Sequence, residues 1–139
     1  MYLTTKQIEE AVNNVALQIN KGSEGKEPLF IVVLNGAFIY AADLLRKVDL
    51  PSQVTFVRLK SYSGMETSGC VKEMIGLNED VEGKDVIVVE DIIDTGRTLN
   101  DVVMLLKARN PLSLKVVTLL DKKPSAEVVA VYDTAVSEE

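Results

Sequence analysis

The chain has 139 residues, of which 47% are hydrophobic, which is enough for one domain with a substantial core. Its net charge of -6 argues against a nucleic-acid-binding surface, because such surfaces need clustered lysine and arginine. Histidine is absent and Cys70 is the single cysteine, so an internal disulfide and the common zinc or Cys-His sites are excluded. No segment reads as a signal peptide or membrane span, which predicts a cytoplasmic protein without a membrane partner.

The predicted elements alternate amphipathic helices with apolar strands. A first helix follows Thr4 and Thr5, either of which can serve as its N-cap, and ends near residues 21–22. Further along, helices are predicted at 38–47 and 96–109, and strands at 29–34, 54–59, 84–90 and 114–120. Because this alternation requires crossover connections, we expect an α/β fold with a central parallel sheet flanked by helices. The whole chain is expected to form a single domain.

Residues 34–37 connect the first strand to the second helix and are a candidate anion site. The turn contains Leu34, Asn35 and Gly36, and backbone amides at the start of a helix are well placed to bind an anion. Asn-Gly also occurs in such connections for turn geometry alone. The residues themselves leave both interpretations open.

Residues 61–82 interrupt the alternation and are predicted to form a mobile loop. The segment is rich in Ser, Gly, Met, Glu and Thr, and only 71–75 within it has the pattern of a short strand. Ser61 and Tyr62 begin this loop, and on the sequence alone they are also consistent with an ordinary polar surface turn.

The segment VVEDIIDTGRTL, residues 88–99, carries the strongest functional signal. It continues an apolar run typical of a strand buried on both faces, and Glu90 and Asp91 follow at the carboxyl end, where open α/β sheets bind ligands. Asp94 comes next, and glycine, threonine hydroxyls and free amides after it can contact phosphate. Acids after a strand often cap the next helix, but a cap needs one acid and three occur here. The predicted phosphate-binding turn after Asp94 comprises Thr95, Gly96, Arg97 and Thr98.

These segments together resemble the type I phosphoribosyltransferases, and in particular the hypoxanthine-guanine branch. VVEDIIDTGRTL resembles the family signature, and VVLNGAFIYAADLLR at 32–46 resembles the pyrophosphate loop and its helix. VRLKSYSG at 57–64 resembles the mobile active-site loop, and VTLLDKK at 117–123 resembles the strand whose lysine contacts the purine. The resemblance spans about residues 1–123.

The resemblance implies transfer of a phosphoribosyl group from phosphoribosyl pyrophosphate to a 6-oxopurine such as hypoxanthine or guanine, with Mg²⁺. Glu90 and Asp91 would hold the ribose hydroxyls directly or around Mg²⁺, and Asp94 would be the general base at the purine. The 5-phosphate cradle would consist of Asp94, Thr95, Gly96, Arg97 and Thr98. The family also implies a homodimer or homotetramer.

The remaining implied contacts involve four further parts of the chain. Leu34, Asn35 and Gly36 would hold pyrophosphate, and Ser61 and Tyr62 would belong to a lid over the site. The implied purine contacts are Ile93 and Lys122. Without the resemblance, Lys122 and its neighbour would be interpreted as a solvated pair of lysines ending a strand.

After Pro124 the resemblance is lost. Family members continue into a hood segment whose aromatic side chain stacks on the purine, whereas residues 124–139 read PSAEVVAVYDTAVSEE. The family's hood also carries an aspartate for a second Mg²⁺. Tyr132 and Asp133 could take the places of that aromatic and that aspartate, but an edge strand at 128–132 with an acidic tail is the preferred interpretation. A chain without a hood leaves a second function open, a non-catalytic sensor that binds phosphoribosyl pyrophosphate or nucleotide.

Overall fold

The computed structural model describes residues 4–34, 37–61, 71–93, 97–121 and 131–134. Helices and strands alternate as predicted through most of this length. The helices are α1 (Thr5–Gly22), α2 (Phe38–Leu45) and α3 (Arg97–Lys107). The strands are β1 (Leu29–Val33), β2 (Gln53–Ser61), β3 (Val71–Ile75), β4 (Asp85–Ile93), β5 (Ser113–Asp121) and β6 (Val131–Thr134).

The strands form one sheet in the order β3-β2-β1-β4-β5-β6. The four central strands are parallel, which confirms the predicted parallel core, while β3 and β6 run antiparallel to β2 and β5 at the two sides. A parallel crossover needs a dozen or more residues, and only 62–70 and 122–130 precede these outer strands. The short connections therefore favour reversal of the chain direction at both sides.

A capping box starts α1. The amide of Gln7 donates to Thr4 Oγ1 at 3.0 Å, and the amide of Thr4 donates to Gln7 Oε1 at 2.9 Å, so Thr4 is the N-cap and not Thr5. The helix is amphipathic, as predicted. Its buried residues are Val12, Val15, Ala16 and Ile19.

Both faces of the sheet are covered at β1 and at the start of β4. All five residues of β1 are buried; Phe30 and Val32 pack against α1 and α2, whereas Ile31 and Val33 belong to the core beneath α3. Burial on both faces explains why these two strands read as continuous apolar runs. Successive residues of a strand therefore point to opposite faces of the sheet and pack against different helices. No helix within the described ranges combines the length and apolarity needed to cross a bilayer.

Two predicted strand ends need correction, and the predicted short strand is confirmed. β4 does not end at Glu90 but continues to Ile93, because its pairing with β5 extends to Asp121. The final strand, β6, lies beside β5 and continues to Thr134, beyond its predicted end at Tyr132. The short strand predicted at 71–75 is β3, and Val81 after it is buried in the core.

Candidate functional site

The carboxyl ends of the parallel strands define the candidate site. β1 and β4 are neighbours in the sheet. From β1 the chain passes through α2 to β2, away from β4, and from β4 it passes through α3 to β5, away from β1. The chain therefore reverses its direction of winding between β1 and β4, and ligands of open α/β sheets bind at such a switch point. Val32 pairs with Val89, which sets the turn after β1 beside the end of β4.

The turn after β1 is anchored by backbone hydrogen bonds at both ends. The Leu34 amide donates to the Val57 carbonyl on β2 at 2.9 Å, and the Ala37 amide donates to the Val33 carbonyl at 3.3 Å. Ala37 is the N-cap of α2 and makes no side-chain capping hydrogen bond. A helix N-terminus without a side-chain cap can offer its first amide groups to an anion. This geometry suits the predicted pyrophosphate site, of which Asn35 and Gly36 lie outside the described residues.

Glu90 is the predicted acid whose surroundings are best defined. Val86 and Val88 precede it in β4 and belong to the core beneath α3, so Glu90 takes this same face by strand alternation. It is partly buried and pairs in register with Thr118 of β5. Glu90 thereby lies near the turn after β1, and a carboxylate is a group that accepts hydrogen bonds from hydroxyls.

The other predicted site residues fall into two groups. Asp91 and Ile93 lie in the last three residues of β4, and Ser61 ends β2 at the same edge of the sheet. Three residues separate the end of β4 from α3, which begins with Arg97 and Thr98. The structure thus brings these backbones to one edge of the sheet. The predicted site residues outside the described ranges are Asn35, Gly36, Tyr62, Asp94, Thr95, Gly96 and Lys122.

Thr118 is a site neighbour that sequence reasoning missed. It is fully buried, at 0% exposed, and it is the register partner of Glu90. The available signal was a single hydroxyl within the apolar run VVTLL of β5. Its position opposite the acid emerges only once the two strands are placed in register.

Glu90 fits the donor chemistry that a hard metal ion requires. Within the described ranges, no group of three or more His, Cys, Asp or Glu side chains gathers as a metal site. Mg²⁺ commonly binds through one or two carboxylates together with phosphate oxygens of a substrate, and Glu90 supplies a hard oxygen donor of that kind.

Tyr40 of α2 belongs to the core and not to this edge. It is 5% exposed among residues of the α1 and α2 core, and burial raises the pKa of its hydroxyl well above the ordinary value. Within the described part of the chain, its Oη atom has no hydrogen-bond partner. Tyr40 therefore stays neutral and serves packing.

Comparison with known proteins identifies the class. The phosphoribosyl transferase domain model matches residues 1–139. The chain therefore belongs to the phosphoribosyltransferase family. The match to the family model extends past residue 123, where the resemblance read from the motifs ends. The chain is 38% identical over 129 residues to the hypoxanthine phosphoribosyltransferase of Buchnera aphidicola, covering 91% of this chain and 73% of that protein.

Other relatives are longer than this chain. Hypoxanthine phosphoribosyltransferase of Salmonella typhimurium is 48% identical over 105 residues, 75% of this chain and 59% of that protein. The bifunctional protein TilS/HprT of Listeria monocytogenes is 41% identical over 127 residues, 91% of this chain. The chain spans 20% of that bifunctional relative.

The solved structures that resemble this chain belong to the same family as its sequence relatives. A hypoxanthine-guanine phosphoribosyltransferase from Bacillus anthracis superimposes with a TM-score of 0.77 at 38% identity, covering 95% of this chain and 76% of that one. A variant of the hypoxanthine phosphoribosyltransferase of Trypanosoma cruzi, in a ternary substrates complex, gives 0.82 at 33% identity, covering 98% and 79%. The fold similarity thus extends over nearly the whole chain.

Proposed function

We propose that this chain carries a purine-salvage activity, the transfer of phosphoribosyl from phosphoribosyl pyrophosphate to hypoxanthine or guanine. The products would be the nucleoside monophosphate and pyrophosphate. The observation that carries the proposal is the placement of Glu90 at the switch point of the sheet, beside the anchored turn at Leu34. The relatives that bear the hypoxanthine phosphoribosyltransferase name support this choice of substrate.

The proposed reaction breaks the bond between the sugar carbon and pyrophosphate and forms a bond to a purine nitrogen. Glu90 and Asp91 would hold the ribose hydroxyls, and Asp94 would accept the proton that the purine nitrogen loses. Ile93 and Lys122 would contact the purine, and a lysine donor would favour a 6-oxo group over adenine. The 5-phosphate would lie against residues 94–98.

The leaving pyrophosphate would be bound by the turn after β1. Leu34, Asn35 and Gly36 would contribute there through backbone amides and the Asn35 amide. Ser61 and Tyr62 would cover the site from the end of β2 and exclude water, which would otherwise hydrolyse the electrophilic sugar centre. Bound Mg²⁺ would supply neutralisation of the pyrophosphate charge, with Glu90 and Asp91 as its protein ligands, directly or through water.

Copies of the chain are proposed to associate as a homodimer or homotetramer in the cytoplasm. The sheet face that carries α1 and α2 leaves β2 and β3 uncovered, and Val54, Phe56 and Ile75 there are 37%, 44% and 45% exposed. An apolar patch of this kind marks an interaction surface. Phe56→Ser should lower the associated mass measured by light scattering, while Leu112→Ser, at an exposed site after α3, should leave it unchanged.

The test of the proposed activity is nucleotide formation. The protein is incubated with phosphoribosyl pyrophosphate, Mg²⁺ and either hypoxanthine, guanine, xanthine or adenine, and nucleoside monophosphate is separated by chromatography. We expect product with hypoxanthine or guanine and none with adenine. Binding of phosphoribosyl pyrophosphate without product would instead support the non-catalytic sensor, and a chelator should abolish any turnover observed.

A further inference from the structure

β5 buries a hydroxyl group at the edge of the sheet where the site lies. Thr118 is 0% exposed, and its strand neighbours Val116 and Val117 are equally buried and apolar. The buried polar or charged residues of the described chain are Ser23, Thr55 and Thr118. Burying a hydroxyl costs free energy unless it forms a hydrogen bond. A threonine at this position of a valine-rich strand therefore calls for a local explanation.

The strand register supplies one. Glu90 pairs with Thr118, just as Val88 pairs with Val116 two residues earlier, and both valines face the core beneath α3. Residues paired across neighbouring strands share a face, and the strands lie about 4.8 Å apart. Glu90 and Thr118 are thus lateral neighbours on the face that α3 covers.

The other neighbour of Glu90 on this face is apolar. Val33 follows Val32, the register partner of Val89, and it belongs to the same core beneath α3. Glu90 therefore lies between a valine on β1 and a threonine on β5. A partly buried carboxylate flanked by hydrocarbon on both sides would be poorly solvated, and the threonine supplies the polar side of its surroundings.

We propose that Thr118 is a positioning residue for the carboxylate of Glu90, and through it for the ribose of phosphoribosyl pyrophosphate. This inference rests on the proposed function, because it assigns Glu90 to the sugar hydroxyls. In this role the Thr118 methyl group would pack in the core, and its hydroxyl would lie beside the Glu90 carboxylate. A buried β-branched side chain has a restricted χ1, so this hydroxyl is fixed relative to the sheet.

The test replaces the hydroxyl by a methyl group of the same size. For Thr118→Val, we expect the affinity for phosphoribosyl pyrophosphate with Mg²⁺, measured by calorimetry, to fall about tenfold, as for groups that orient a ligand-binding side chain. The KM for this substrate should rise by the same factor, while kcat and the KM for hypoxanthine stay within about twofold. Thr118→Ser retains a hydroxyl and should recover most of the affinity.

Thr55 provides the matched control. It is 7% exposed on β2, and its Oγ1 lies 3.5 Å from the Gly76 carbonyl, away from the carboxyl edge. Thr55→Val should leave the affinity for phosphoribosyl pyrophosphate unchanged. The proposal is overturned if Thr118→Val binds like the wild type, or if both variants lose affinity in parallel with thermal stability. Wild-type protein that binds but forms no nucleotide would contradict the proposed activity and still permit this binding test.

Discussion

The two edges of the parallel sheet use polar groups differently. At the edge where the strands begin, Ser113 Oγ donates to Asp85 Oδ1 at 2.6 Å, joining the first residues of β5 and β4. The Gln53 amide donates to the Pro28 carbonyl at 3.0 Å and holds the start of β2 beside β1. At the edge where the strands end, Glu90 instead lies beside the turn after β1, at the switch point of the winding.

This contrast separates residues that stabilise the fold from residues that bind a ligand. Hydrogen bonds between polar groups at the starts of neighbouring strands stabilise the register of the sheet. Acids and turn amides gathered at the other edge are arranged around the place that a ligand would occupy. Substitutions at the first edge should therefore change stability, and substitutions at the second should change binding or turnover.

The largest expected effect is that of Asp94→Asn. If Asp94 is the general base, kcat should fall by roughly 10² to 10⁴, because the amide cannot accept the purine proton. Binding of phosphoribosyl pyrophosphate should be largely retained. Asp85→Asn is the control at the opposite end of β4 and should keep its turnover. Unchanged kcat in Asp94→Asn would remove this residue from the role of base.

Replacement of both Glu90 and Asp91 by alanine should weaken Mg²⁺-dependent binding of phosphoribosyl pyrophosphate. We expect a loss of about 10-fold to 100-fold, since the ribose hydroxyls and the metal lose their carboxylate partners. Calorimetry with and without Mg²⁺ measures the change. Retained affinity together with a lowered melting temperature would show that the two acids are structural.

Asn20→Ala should lower stability without lowering activity. The Asn20 side chain donates to the Lys47 carbonyl at 3.2 Å and accepts from the Asp49 amide at 2.7 Å, which ties α1 to the segment before β2. Loss of both bonds should cost about 1–3 kcal/mol in the free energy of unfolding, measured by urea denaturation. Asn14→Ala, at an exposed position of the same helix, should cost about 0.5 kcal/mol or less. Equal losses in both variants would contradict the role of Asn20.

The smallest effect is expected for Ser113→Ala. Removal of its hydroxyl from Asp85 should cost about 1–2 kcal/mol of unfolding free energy, because a part-buried hydrogen bond to a carboxylate is lost. Steady-state kinetics should be unchanged. A marked rise in the KM for phosphoribosyl pyrophosphate would break the proposed division between the two edges.

Local signals in the sequence were sufficient for much of the fold. The cap of α1, its buried face and the short strand at 71–75 follow from patterns that lie within a few residues of each other. The antiparallel direction of β3 and β6 was not predicted, although the short connections before them favour it. The continuation of β4 to Ile93 depends on pairing with β5, which no local pattern in β4 reveals.

Prediction of the site was limited in the same way: local patterns identified Glu90, but not a residue that strand pairing brings beside it. Glu90 was predicted because acids after an apolar strand lie at the ligand-binding edge of an α/β sheet, and its place beside the Leu34 turn agrees with that reasoning. Thr118 was missed because it lies 28 positions further along the chain, and only the register brings it opposite Glu90. The roles of Asp94 and Lys122 rest on the family resemblance and stay predictions.

Calorimetric titration of the protein with phosphoribosyl pyrophosphate, in the presence and absence of Mg²⁺, tests the phosphoribosyl site most directly. We expect saturable binding that strengthens with Mg²⁺ and is weakened when Glu90 and Asp91 are replaced by alanine, but not by Ser113→Ala. Absence of binding to the wild-type protein, or equal binding by all these variants, would contradict a phosphoribosyl site at the carboxyl edge of the sheet.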